Sequence, residues 1–242
     1  MSLTTRQTKS LVGLVLLVSS LKSLMAQTPG SSDTEVWPKV SVTYDLGTRS
    51  RIQGYFEKHN GEDISLEQWK VGTLFSYRMK RMLRERRHET DDENKYNLVV
   101  GAGYEFIQTD QNVSTKREHR MILQGSPKYL LPLKFLAQDR SRVEFRWVDS
   151  AYNFRYRNKL TVDRPLSVDK FRFTPYASGE LFWDRNHHSW NQNQYAFGVQ
   201  FPYKKLFMLD GYYLHQNCTT CGEKSTNVFG ISANFYFRRR QK

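Results

Sequence analysis

Apolar residues recur at every second position through eleven separate segments of this chain, and a period of two demands β-strands. Val40, Val42, Tyr44 and Leu46 share one parity. Trp69, Val71, Thr73, Phe75 and Tyr77 share another, with Lys70, Gly72, Ser76 and Arg78 between them. The same alternation runs through residues 98–106, 143–147, 195–201 and 229–237, and more weakly through 51–57, 117–124, 154–162, 171–183 and 207–216. Many of these runs reach about nine to eleven residues, the length a tilted strand needs to cross a bilayer.

A chain of 242 residues is long enough for one domain with a substantial interior. Its mean hydropathy of -0.69, with a single long apolar run near the start, excludes a bundle of membrane-spanning helices. It does not exclude a membrane barrel, whose apolar residues are diluted by the alternation. The early run, 11–18, follows Arg6 and Lys9 and leads to Ala26, so residues 1–26 read as a secretory signal peptide. Removing Arg6, Lys9 and Lys22 from the 37 basic residues leaves 34 against 24 acidic ones. Residues 27–35, rich in Ser, Pro and Gly, read as a polar linker, 36–238 as the barrel and 239–242 as a basic tail.

Which parity faces inward decides between a soluble and a membrane barrel. The export signal, the 14% of aromatic residues suited to interfacial girdles and the charge density on the polar parity favour the membrane form. The expected fold is therefore an all-β, antiparallel up-and-down transmembrane β-barrel of about 10 to 12 strands. Eleven antiparallel strands would leave the first and last parallel, whereas bacterial single-chain barrels have even counts. The sequence therefore suggests either a hidden strand in 129–137 or a weak run lying outside the barrel. Between strands, residues 80–95 mix arginines with acids and read as a solvated hairpin connection, with a short helix as the alternative.

The polar parity carries the chemistry. It reads Glu118 and Arg120, then Arg142, Glu144 and Arg146, then Arg155, Arg157 and Lys159, with Glu180 on the next strand after Arg172. Facing lipid, each Arg or Lys would cost about 2 to 4 kcal/mol near the midplane, so these groups must face a lumen. The plainer reading is a set of ladders that knits a narrow interior together. The functional one is an Arg-rich constriction, Arg120, Arg142, Arg146, Arg155 and Arg157 with Glu118, Glu144 and Glu180, that attracts small anionic solutes.

Several elements taken together resemble a known family. Trp37 opens the first strand, Gly101, Gly103 and Tyr104 follow on the fourth, and then come Glu118-His119-Arg120, Arg142-Val143-Glu144-Phe145-Arg146, Phe154-Arg155-Tyr156-Arg157, Glu180-Leu181-Phe182, Phe197-Gly198-Val199 and Gly211-Tyr212-Tyr213. The pattern is similar to a porin-like family of bacterial outer-membrane barrels catalogued as a domain of unknown function, over about residues 36 to 237. The resemblance implies an outer-membrane barrel of about ten to twelve strands with no established activity. This chain departs from it in placing Arg238, Arg239, Arg240, Gln241 and Lys242 after Phe237, where such barrels end on an aromatic residue read by the insertion machinery.

No catalytic constellation stands out. The histidines His59, His88, His119, His187, His188 and His215 show no triad setting with a serine nucleophile, and no Gly-rich phosphate loop or zinc-ligand spacing is visible. We therefore expect no enzyme, no cofactor and no metal. Cys218-Thr219-Thr220-Cys221 reads as a small disulfide loop in an exported protein. The expected partners are outer-membrane lipids or lipopolysaccharide, the barrel-insertion machinery and a small anionic solute, but no nucleic acid, because the basic residues alternate along exported strands. The expected function is a passive outer-membrane pore preferring small anions; the alternative is a structural or lipid-interacting barrel with a plugged lumen.

Overall fold

The computed structural model describes residues 32–61, 66–82, 89–111, 114–221 and 225–238. The signal peptide and basic tail expected from the sequence lie outside the described residues. In chain order the strands are β1 (Ser32–Asp45), β2 (Ser50–Gly61), β3 (Leu66–Arg78), β4 (Leu98–Gln111), β5 (Ser114–Leu130) and β6 (Leu136–Val148). They continue with β7 (Ala151–Asp163), β8 (Leu166–Val168), β9 (Phe171–Asp184), β10 (Ser189–Tyr203), β11 (Phe207–Cys218) and β12 (Ser225–Arg238). Each pairs with the next, except that the short β8 pairs only with β9, which also joins β7 to β10. Because β1 also pairs with β12, the eleven longer strands close into a barrel.

The wall has eleven strands, and each coincides with one of the alternating runs. The expectation of an even count fails. With directions alternating around an odd number, the last strand must run beside the first in the same sense, and β1 and β12 pair in parallel from Ser32↔Ser225 to Asp45↔Arg238. No strand is hidden in 129–137: Tyr129 and Leu130 end β5, Pro132–Lys134 form a 3-10 turn and Leu136 begins β6. The polar linker is shorter than its composition suggests, because Ser32, Asp33, Thr34 and Glu35 are already in β1, in register with β12.

Burial resolves the parity question. Val40, Val42, Ile52, Phe56, Val71, Phe75, Met121, Leu123, Phe197 and Ile231 are exposed, while Ser41, Thr43, Arg51, Ser76, Arg120 and Glu144 on the opposite parity are buried. An apolar exterior around a charged interior is the reverse of a soluble barrel and suits a surface solvated by lipid. Aromatic rings gather where this exterior meets each mouth. Around the mouth where β1 begins, Trp69 packs on Phe106, Trp147 on Tyr152 and Phe154 on Trp183. Around the mouth where β12 ends, Phe171 packs on Phe201 and Phe207 on Phe235. Two such belts match the two interfaces of a bilayer.

Inside, three tyrosines repeat one device. Tyr55, Tyr176 and Tyr212 stand directly opposite Gly72, Gly198 and Gly230 on the next strand, and each ring occupies the space a side chain there would need. Lying flat over glycine, the ring reaches past its neighbour to the strand beyond: Tyr55 donates to Glu105 on β4, and Tyr176 to Asp210 on β11 at 3.2 Å. Tyr212 packs against a small apolar cluster of Ala196, Leu214 and Val228, joined by Trp37.

Candidate functional site: the charged wall of the lumen

Strands β4 to β9 turn their charged parity inward, and their register sets which charges meet. Three like pairs stand directly opposite, Arg120↔Arg146, Arg142↔Arg157 and Arg140↔Lys159, next to the opposite pairs Glu105↔Arg120, Glu144↔Arg155 and Lys159↔Glu180. Like charges in that position repel, so the carboxylates on diagonal positions become the organising groups. Glu144 is fully buried and lies 2.8 Å from Arg155, 2.9 Å from Arg157, 3.6 Å from Arg120 and 3.9 Å from Arg142.

The remaining carboxylates extend the network in both directions along the barrel axis. Glu118 accepts a two-pronged contact from Arg146, at 2.6 and 2.9 Å, and a second guanidinium from Arg120 at 2.8 Å. Glu180 accepts from Arg157 at 2.9 Å and from Arg140 at 3.1 Å. Glu105 holds Arg120 at 2.9 Å and the Tyr55 hydroxyl, and Asp184 lies 3.5 Å from Arg146. The Arg157 guanidinium also sits 4.5 Å over the ring of Phe182. All eight lumen residues singled out in the sequence thus belong to one connected cluster. Sequence reading missed Glu105, Arg140 and Asp184, which complete it, because each sits near the end of a run where a single charge does not show a face.

Around the circumference the lumen is lopsided. Within this network on β4 to β9, Arg120, Arg140, Arg142, Arg146, Arg155, Arg157 and Lys159 meet the carboxylates of Glu105, Glu118, Glu144, Glu180 and Asp184, a surplus of two positive charges. On β10 to β12, the inward charges among the described residues are Asp210 and, at the rim, Arg238. That side is lined by neutral pairs, Gln194 donating to Gln216 at 2.6 Å and Ser41 of β1 donating to Asn234 at 2.6 Å. A charged wall thus faces an amide and hydroxyl wall.

A second cluster lies nearer the mouth where β1 begins. Glu57 is held by Lys70 at 2.7 Å and Lys39 at 3.3 Å, and shares a 2.7 Å hydrogen bond with His59, whose ring stacks on Trp37 at 3.9 Å. His59 is the one histidine buried in the lumen among the described residues; its period-two spacing from Glu57 and Tyr55 was the available signal. His119 faces outward and shares a 2.5 Å hydrogen bond with Tyr104, His187 and His188 lie at the β9–β10 turn, and His215 contacts Asn227. His88 lies outside the described residues.

Part of the β3–β4 connection, the described residues 89–97, lies across the opposite mouth. This part holds a 3-10 turn, Asp92–Lys95, and it is not merely solvated. The buried Arg51 of β2 reaches Asp91 at 2.6 Å and Glu93 at 2.9 Å while holding Asp45 at 3.0 Å. From other sides of the barrel, Lys128 donates to Asn94 at 3.0 Å, Thr90 donates to the Lys204 carbonyl at 3.2 Å and Arg238 pairs with Asp92 at 2.6 Å. Burial alone would raise the Asp91 carboxyl, but Arg51, then Lys128 and the Glu93 backbone N–H, outweigh it and hold it below the ordinary aspartate value. Cys218, inward at the end of β11, is joined to Cys221 in a disulfide.

Comparison with known proteins extends this description. The family model described as "Protein of unknown function (DUF2490)" matches residues 34–227. No curated protein matches the chain. Among solved structures, a bacterial polysaccharide outer membrane secretin is similar at 9% identity and a TM-score of 0.44, over 80% of this chain and 64% of that one. The chain therefore spans less than two thirds of the secretin's length. The β domain of the Bordetella autotransporter BrkA is similar at 13% identity and a TM-score of 0.46, over 78% of this chain and 84% of that one.

Proposed function

The chain belongs to the DUF2490 family, and because that description names no activity, we propose from the geometry alone that it is a passive outer-membrane pore preferring small anions. The observation that carries the reading is the lopsided lumen. Seven cations against five carboxylates in the network on one wall, opposite a nearly neutral wall, leave a positive field across whatever path remains between them. Guanidinium groups are the donors best matched to carboxylate and phosphate oxygens passing along it. The apolar exterior and its two aromatic belts support residence in the outer membrane, among lipids or lipopolysaccharide and after passage through the barrel-insertion machinery. No catalytic step enters this reading.

A second reading has its own support. Each of the five wall carboxylates already engages at least one guanidinium, and part of the β3–β4 connection lies across one mouth, which suits a structural barrel with a plugged lumen. Conductance of the purified chain in planar bilayers separates the two: discrete, long-lived current steps support the pore, and insertion without current supports the plug. Membrane residence is tested beforehand by band position on a gel. A closed barrel runs faster unheated than boiled and stays with the outer membrane in high salt, whereas recovery as a soluble periplasmic protein contradicts it.

A further inference from the structure

The mouth where β12 ends holds a cavity of about 1140 Å³, between the β1–β2 turn, both ends of the β3–β4 connection and the end of β12. It is lined by Arg49, Arg78, Lys80, Arg81, Lys95 and Arg238, with Asp45 and Asp92 as its acids. Each acid is already held by at least two cations. Asp45 lies 3.0 Å from Arg51 and 3.2 Å from Arg78, and Asp92 lies 2.9 Å from Lys95 and 2.6 Å from Arg238. Arg49 and Lys80 have no carboxylate partner among the described residues, so the cavity keeps a positive surplus that the lumen network does not share.

Its polar wall is also prepared for an acceptor. Arg78 is 2% exposed, its Nη2 donates to the Gly47 carbonyl at 3.0 Å and its guanidinium stands 5.3 Å from the Tyr96 ring centre. The Tyr96 hydroxyl donates to the Thr48 carbonyl at 2.7 Å. Two carbonyls that would repel an anion are thereby occupied, while the Arg78 Nε–H is buried without an acceptor. An unsatisfied buried donor of this kind costs free energy unless a ligand meets it. Leu46 and Met79, both exposed, complete the lining and place the cavity beside the apolar exterior.

We propose that this cavity binds a ligand carrying two or more phosphate groups. Arg49 and Lys80 both lack a carboxylate partner among the described residues, so a ligand with two phosphates can meet both, and the volume suits a group of that size. Arginine and lysine surround it, and they are the residue types that recognise phosphate by forked and point-charge contact respectively. The phosphates can come from a soluble diphosphate or from the head group of a phosphorylated lipid at the adjoining interface. The proposal does not rest on the pore reading.

The test is calorimetric titration of the full chain in detergent with inorganic pyrophosphate, and in a parallel arm with phosphatidylcholine vesicles made with and without diacylglycerol pyrophosphate, whose head group carries two phosphates. Saturable binding that weakens about tenfold or more in the R49Q/K80Q double variant is the expected result, since both residues lie on exposed turns and leave the barrel intact. Binding in the pyrophosphate arm identifies a soluble ligand, and binding only to the diacylglycerol pyrophosphate vesicles identifies a lipid head group. Absence of binding in both arms, or equal affinity in the double variant, overturns the proposal. So does loss of binding in an R155Q/R157Q variant, which would move the site to the lumen.

Discussion

Arg51 Nη1 stands 2.6 Å from Asp91 Oδ1, tying the inner face of β2 to the part of the β3–β4 connection that lies across one mouth. Because the same guanidinium also holds Glu93 and Asp45, it acts as a latch with three acidic partners. Arg51→Gln leaves those carboxylates without their shared cation, a change worth about 3 to 5 kcal/mol when a buried pair is broken. In planar bilayers the variant should conduct more than the parent, and the connection should become cleavable by protease. Unchanged conductance with an intact connection would show that Arg51 does not hold the mouth.

The same latch predicts a pH dependence. Asp91 lies below the ordinary aspartate value of 3.8 because Arg51 and Lys128 face it, so its contribution is present above that value and lost only as pH falls beneath it. The mouth should therefore stay latched through mildly acidic buffer and release in stronger acid. Protease sensitivity of the connection followed against pH checks this, and release near neutrality would contradict it.

The tyrosines lying over glycine predict a position-specific intolerance to added side chains. Gly230→Ala puts a methyl group into the ring of Tyr212, and Gly72→Ala meets Tyr55, whereas Gly211→Ala and Gly54→Ala meet nothing within 4 Å. The first pair should cost about 1 to 3 kcal/mol through overpacking, and the second pair should stay within about 0.5 kcal/mol. The temperature at which the fast unheated gel band converts to the slow one measures the difference.

Much of this fold was readable because alternation survives burial on both faces. Each of the eleven runs became a strand, and the inward charges from Glu118 to Glu180 keep to the inward parity of their own strands. Closure was not readable. The parallel seam of β1 with β12 is a consequence of strand number, and no residue on either strand encodes a parallel partner differently from an antiparallel one. The ladders were also drawn too simply: opposite charges meet on the diagonal as much as across, because Arg120↔Arg146 and Arg142↔Arg157 put like charges face to face. The latch was invisible for another reason. Arg51 and Asp91 are separated by 40 residues, and only the closed wall brings them together.

The disulfide offers a compact check on the loop before the last strand. Cys218 and Cys221 are joined across Thr219 and Thr220, and Asn191 of β10 donates to the Thr220 hydroxyl at 2.7 Å. Mass spectrometry without reduction should find the two cysteines linked. A Cys218→Ser, Cys221→Ser variant should keep its heat-modifiable band, because the bond closes only a short loop. Two freely alkylated thiols in the native protein would contradict the pairing.

The central claim is that the charged wall selects anions, and reversal potential under a salt gradient tests it most directly. Replacing Arg155 and Arg157 with glutamine removes two cations yet leaves Glu144 with Arg120 at 3.6 Å and Arg142 at 3.9 Å, so the buried carboxylate keeps positive neighbours. Arg146 is a poorer choice, since its loss takes the two-pronged partner from Glu118. The wild-type channel should show an anion-selective reversal potential, and R155Q/R157Q should insert equally well with its reversal potential shifted toward cations. A wild-type barrel that inserts without current, or a double variant with unchanged selectivity, would contradict the account.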